Sequence, residues 1–397
     1  HRGLELTVMA VRAAESAADR HVLAEALIRT GLMRLNLGKM TDSQRDLERA
    51  LAIFQELGDE HGGARSLDIL AMTDGIVGRV ARSTERGREA SRRYERLGDR
   101  LAQSSMLASM GFWLGWLGRR QEAEPLMRQG LEIAIALGAR GGEAYAHGCM
   151  AWIQEMYGDY GPALREGTMA IEIAQQIGHR EWTANGLCTV GRITRIAGQA
   201  GRARVMHQEM LRITRELGSA LWTPGALGEL GADLIALGEA DESERLLDAA
   251  IDEAGEATQF VVSPRLTQTD LLLGAGRFEP ALEKAQRTCA AAPEYAVFGL
   301  LARAQQGQAL LGLGRFDEGE PILRDVQARA RAIGAAPALW QACLTLADHL
   351  SARGRAGEAA SERAEALGTL QQAAAGLPDD LRHSFMDTPM MRRARLS

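Results

Sequence analysis

An all-α solenoid of repeated helical hairpins is the fold that this sequence predicts, and three observations predict it. The apolar content is dominated by Ala and Leu, which favour helix, while aromatics make up only 5% of the chain and runs of Val, Ile and Thr are scarce. Glycines recur forty residues apart at Gly38, Gly78, Gly118, Gly158, Gly198 and Gly238, then at Gly276, Gly314 and Gly354 with spacings of 38, 38 and 40. A second series falls midway between them: Leu57-Gly58, Leu97-Gly98, Leu137-Gly138, Ile177-Gly178 and Leu217-Gly218. A fixed period of this length is the mark of stacked two-element units.

The elements follow in order. Ala17-Ala18-Asp19 stands forty residues before Leu57-Gly58-Asp59, so residues 1–20 hold only the second helix of an incomplete repeat. Over residues 21–376 each turn glycine ends a first helix, because a helix commonly closes on a residue in the left-handed conformation that side chains resist. The second helix then opens on an expected cap: Thr41 with Gln44, Asp241 with Glu244, Asp317 with Glu320. Pro162 and Pro280 stand where a first helical turn accepts proline. Near residues 255–265 the period shortens, and the β-branched residues and Pro264 of "ATQFVVSPR" predict an interrupted helix and a local change of superhelical path. Nine hairpins and the half repeat account for the chain up to a C-terminal tail at 377–397. Gly312 and Gly314 could be mistaken for a phosphate-binding turn, but they repeat Gly274 and Gly276 one unit on and no strand precedes them.

The small residues fix how each hairpin packs. Seven residues before the turn glycines stand Gly31, Ala71, Gly111, Ala151, Gly191, Gly231, Thr269, Gly307 and Ala347. Five residues after them stand Ser43, Ser83, Ala123, Ala163, Ala203, Ser243, Ala281, Gly319 and Ala359. Glycine within a helix costs about 1 kcal/mol relative to alanine, so its recurrence at the first position implies a close helix–helix approach that offsets the cost.

This pattern, small at the eighth position, glycine at the fifteenth and alanine at the twentieth, resembles the tetratricopeptide repeat over almost the whole chain. The units exceed the 34-residue form and lack most of its aromatics, although Tyr160, Phe278 and Phe316 keep the one after the turn and Pro293 can serve as a closing proline. Long units with "LG-D" endings resemble the tetratricopeptide arms of large bacterial signalling ATPases, cyclases and regulators. That resemblance implies a cytoplasmic sensing or interaction arm with an effector domain upstream, and a start on His rather than Met fits a chain that continues beyond this sequence.

In tetratricopeptide proteins the first helix of each repeat lines the concave face, and a solenoid acts through that extended surface. Its groove positions map to Met72, Phe112, Trp116, Tyr145, Trp152 and Met156 in units two to four, and to Asn185, Arg192 and Arg195 in unit five. Aromatics, Met and Arg are the residues enriched at binding hot spots, so these nine form the candidate site for a protein or peptide partner, with Arg192 and Arg195 placed to receive an acidic segment. Packing between repeats is the competing reading. Trp113 cannot share a helix face with Trp116, and Trp182 and Trp222 recur at one repeat position, which suggests a structural role. Two other functions stay open: a receptor for a small-molecule inducer, which needs an enclosed site, and an oligomerisation scaffold.

Other classes find little support. A formal net charge of −6 offers no footprint for nucleic acid, and no segment approaches the ~18 apolar residues of a membrane helix. No GxxxxGK[ST], HExxH or GxSxG motif occurs, and the histidines are scattered, so neither catalytic residues, a metal nor a cofactor is expected. Cys149, Cys188, Cys289 and Cys343 are widely separated and are expected as free thiols in a reducing compartment.

Overall fold

The computed structural model describes residues 2–396, and no strand occurs among them. A single helix, α1 (Arg2–Ser16), precedes nine antiparallel hairpins. The first five are α2 (Arg20–Asn36) with α3 (Met40–Leu57), α4 (Glu60–Ile76) with α5 (Val80–Leu97), α6 (Arg100–Trp116) with α7 (Arg120–Ala136), α8 (Arg140–Tyr157) with α9 (Tyr160–Gln176), and α10 (Arg180–Ile196) with α11 (Ala200–Leu217). The remaining four are α12 (Trp222–Ala236) with α13 (Ala240–Ala254), α14 (Thr258–Gly274) with α15 (Phe278–Ala291), α16 (Ala296–Gly312) with α17 (Phe316–Ile333), and α18 (Ala336–Ala352) with α19 (Ala356–Ala374). Two short helices, α20 (Asp379–Met386) and α21 (Pro389–Ala394), finish the chain.

The hairpins close as the small residues require. The turn glycines adopt φ of 70° to 91°, and Ala18, which stands where later units have glycine, takes the left-handed conformation with φ 55°. A Cβ on Gly111 would lie 2.6 Å from the Ala123 carbonyl oxygen, so helices α6 and α7 touch at backbone distance. Where the second small residue is serine it adds a bond: the Ser43 hydroxyl donates to Gly31 O at 2.8 Å and that of Ser243 to Gly231 O at 2.7 Å.

Helix capping differs from the sequence expectation. Thr41, Asp241 and Asp317 lie inside the first turns of their helices, and the true N-caps Lys39, Glu239 and Arg315 make no side-chain cap. The capping aspartates belong to the "LG-D" endings: Asp19, Asp59 and Asp99 accept from the amides of Val22, Gly62 and Ala102 at 3.0, 2.8 and 3.1 Å. The Gly62 amide holds the Asp59 carboxyl below its usual range.

The even-numbered helices form the inner wall of a superhelix, and its pitch is tight enough for successive turns to touch. Gly38 faces Ala220, Gly78 faces Thr258, Gly118 faces Ala296 and Gly158 faces Ala336, so each of the first four hairpin turns rests on the start of an inner helix five hairpins further on. A Cβ on Gly118 would sit 3.0 Å from that of Ala296. Polar bonds follow the same seam. Glu256 accepts from the Thr41 amide at 3.0 Å and Glu294 from the Ala81 amide at 2.7 Å, so α3 and α5, which lack caps of their own, are capped from the next turn. The Tyr295 hydroxyl donates to Gly75 O at 2.8 Å and contacts Ile76 O at 3.2 Å, at the end of α4.

Gly198 continues the seam against Ser384 and Thr388, so α20 and α21 stand where a tenth hairpin would begin. Phe385 and Met391 are fully buried there, against Tyr160 and Trp340. The irregularity expected near 255–265 does not break the helix: α14 runs unbroken through Pro264. Its Phe260, Val261 and Val262 are core residues, and Pro264 packs into room left by Gly228, where a Cβ would lie 2.7 Å from its ring. The missing residues come out of the outer helices, α13 with 15 and α15 with 14, and Thr258 keeps its place on the seam.

Candidate functional site

Because the inner helices are covered on nearly every side, the aromatics they carry meet in the lumen of the superhelix instead of lining an open groove. Trp116 is 1% exposed; it stacks on Phe298 with centroids 4.9 Å apart and meets Tyr295 edge-on at 4.5 Å. Both partners belong to the second turn. Trp116 is therefore a staple between turns, and the concave face expected to be open at this point is sealed. Met156, 5% exposed, is likewise core.

Arg192 and Arg195, expected to meet an acidic partner, find acids within the chain. Arg192 pairs with Glu155 at 2.9 Å, and Arg195 pairs with Glu229 at 2.7 Å and Asp233 at 2.9 Å. Asp233 also holds the fully buried His207 at 2.6 Å. Burial pushes the Glu155 carboxyl up against the pull of Arg192. Burial also opposes ionisation of Glu229, but Arg195 and Arg192 outweigh it and hold that carboxyl below its usual range. The Arg192 guanidinium lies 4.7 Å from the centroid of Trp152, a cation–π contact that fixes the ring.

The other five candidates, Met72, Phe112, Tyr145, Trp152 and Asn185, come together around a cavity of 280 Å³. It lies in the lumen of the first superhelical turn, walled by α2, α4, α6, α8 and α10. Its far wall is Leu221, Trp222, Gln259 and Phe260 from the second turn. The aromatic lining is locked by ring contacts: Phe112 to Trp152 at 5.7 Å, Trp152 to Trp222 at 6.0 Å and Trp222 to Phe260 at 5.4 Å. Tyr145 bonds Ser109 at 2.8 Å and leans on Trp182, which in turn stacks on His179 with an interplanar angle of 8°. Trp113, which cannot share a helix face with Trp116 and is not among the nine candidates, also lines the cavity.

An open groove of 740 Å³ between the α1–α2 end and the starts of α10 and α12 adjoins the cavity, with Asn36 and Glu181 lining both. The cavity lining offers ring faces, apolar surface, amide groups and the Glu181 carboxylate. Its one thiol, Cys149, is pushed up to about 12 by burial, which keeps it protonated and weakly nucleophilic. Elsewhere Cys343, Glu362 and Glu365 lie near one another, but Arg324 and Arg331 already neutralise the two carboxylates. All four cysteines are free thiols, and no described helix is long and apolar enough to cross a membrane.

Sequence reasoning missed the second-turn wall and the adjoining groove. A usable signal did exist: small residues at the starts of the later inner helices, Ala220, Thr258, Ala296 and Ala336, mark where another turn can approach.

No family model and no curated protein sequence matches the chain. Solved structures do share its fold. The Rap protein complexed with Competence and Sporulation Factor superposes with a TM-score of 0.63 at 12% identity, over 89% of this chain and 99% of that one. The apo form of the quorum sensor NprR from B. thuringiensis gives 0.50 at 15% identity, over 82% of this chain and 97% of that one. The fold is thus a tetratricopeptide-type superhelix.

Proposed function

We propose that this chain is a non-catalytic sensing module that takes a short peptide into the lumen of its first superhelical turn. The observation that carries the proposal is the 280 Å³ aromatic cavity beside an open groove, built by Met72, Phe112, Tyr145, Trp152 and Asn185 with the second-turn residues. Binding pockets are commonly concave, mostly apolar and furnished with a few polar groups, and this one has Asn185, Gln259 and Glu181. Trp116, Met156, Arg192 and Arg195 act behind the site by holding its walls. A Rap protein of the same fold has been crystallised with a competence and sporulation factor, and NprR is a quorum sensor; both favour a regulatory ligand. The setting that fits is a bacterial cytoplasmic regulator in which an effector domain reads the occupied superhelix.

One observation favours a second reading, an inducer of small-molecule type: the cavity lies between two turns and is small, just below the roughly 300–1,000 Å³ usual for such ligands. Affinity selection with mass-spectrometric readout separates the two, using the purified chain against a short-peptide library and a small-molecule library. Met72→Trp fills the cavity from α4 and should abolish retention while leaving the unfolding temperature near that of the wild type. Retention unchanged in Met72→Trp would place the ligand elsewhere and refute the site.

A further inference from the structure

One charged side chain lines the lumen cavity, and it is Glu181. Four acids of the inner helices are answered by arginine, Asp74 by Arg86 at 2.6 Å, Glu155 by Arg192, and Glu229 and Asp233 by Arg195, while Asp68 and Asp270 are held by the neutral donors Tyr94 and Gln305 away from the cavity. Glu181 has no such partner among the described residues. Its bond is to a neutral donor, the Trp222 indole N–H at 2.9 Å, and the adjacent Arg180 is turned away to Glu216. A half-buried carboxylate without an ion-pair partner attracts a cation and repels an anion.

Its position gives that preference a use. Glu181 lines both the open groove and the cavity, so it stands at the edge between them. The rings of Trp182, Tyr145 and Trp222 line the same cavity, and aromatic faces attract cations.

We infer that the ligand is cationic at one end and apolar at the other. An ammonium or guanidinium group seats on Glu181, and apolar side chains fill the aromatic lumen. This rests on the peptide reading above and narrows it to a class: short peptides whose cation is a free N-terminus or a Lys or Arg side chain.

The test uses the full chain and a library of tripeptide amides built from Leu, Phe, Val, Ser, Lys and Glu, each with a free and an acetylated N-terminus. Retained peptides are identified by mass and their affinities measured by calorimetry. The expected result is retention of apolar peptides bearing a cation, about tenfold tighter than uncharged isosteres, since a charge-assisted hydrogen bond is worth at least that factor. Acetylation that abolishes retention identifies the N-terminus as the cation; acetylated Lys peptides that persist identify the side chain. Glu181→Gln keeps an acceptor for Trp222 and should remove the cation preference while apolar selection remains, with its unfolding temperature confirming the fold. Retained peptides without a cation preference, or a preference unchanged in Glu181→Gln, overturn the inference and leave the peptide reading standing. No retained peptide at all overturns both.

Discussion

Replacing Tyr295 by Phe removes one oxygen from a fully buried side chain and tests whether the two superhelical turns hold each other. The phenol donates to Gly75 O at 2.8 Å and lies 3.2 Å from Ile76 O, both at the C-terminal end of α4 and more than two hundred residues away in sequence. Gly75 O keeps another donor, the Gly78 amide at 3.0 Å. The Ile76 carbonyl loses the phenol, and a buried acceptor left without its partner costs about 1–3 kcal/mol. The ring itself stays against Trp116, so little packing is lost. Tyr157→Phe is the matched control, because that hydroxyl donates to Gly115 O at 2.8 Å between adjacent hairpins only. Urea unfolding followed by circular dichroism gives the two costs, and hydrogen exchange read by mass spectrometry locates them. Tyr295→Phe should speed exchange at the end of α4 as well as around α16, whereas the effect of Tyr157→Phe should stay within α6 to α8. A cost below about 0.3 kcal/mol for Tyr295→Phe, with α4 exchange unchanged, would refute the seam as an energetic contact and leave an array stabilised by nearest neighbours alone.

Further outcomes follow from the buried charges. Arg195→Leu strips Glu229 and Asp233 of their closest cation and should cost about 3–5 kcal/mol in denaturant unfolding, the usual result of leaving a buried charge uncompensated; a cost under about 1 kcal/mol would show that water reaches the cluster. Burial raises the Asp68 carboxyl from 3.8 to about 6, against the bond it accepts from Tyr94 at 3.2 Å. Between those values the unfolded chain has released its proton while the native one retains it, so stability is lost as pH rises through this window. Asp68→Asn, which keeps an acceptor for Tyr94, should therefore match the wild type near pH 4 and exceed it by about 1–3 kcal/mol near pH 8. An equal difference at both pH values would refute the assignment.

The hairpin was legible because its determinants are local. A glycine that must turn left-handed, such as Gly118, and a small residue that must meet a backbone, such as Gly111, recur at a fixed distance and stand out in one sequence. Capping was less legible, since Thr41 has the right chemistry in the wrong place and the acid that serves α3 is Glu256, distant in the chain. The proline at 264 misled because the glycine that accommodates it, Gly228, sits on another helix. The candidate site divided along the same line. Met72, Phe112, Tyr145, Trp152 and Asn185 share a wall because inner-helix register is a local property. The covering of Trp116 by Phe298 depends instead on the small rotation between repeats accumulated over five of them, which no single unit encodes.

That accumulated rotation also determines how an occupied cavity could be read. Five inner helices of the first turn meet Trp222 and Phe260 of the second turn across the lumen, and the same two turns touch along the seam at Gly38, Gly78 and Gly118. A ligand seated between them contacts both, so any difference in its affinity for a tighter or looser pitch shifts the spacing of the turns by that same free energy.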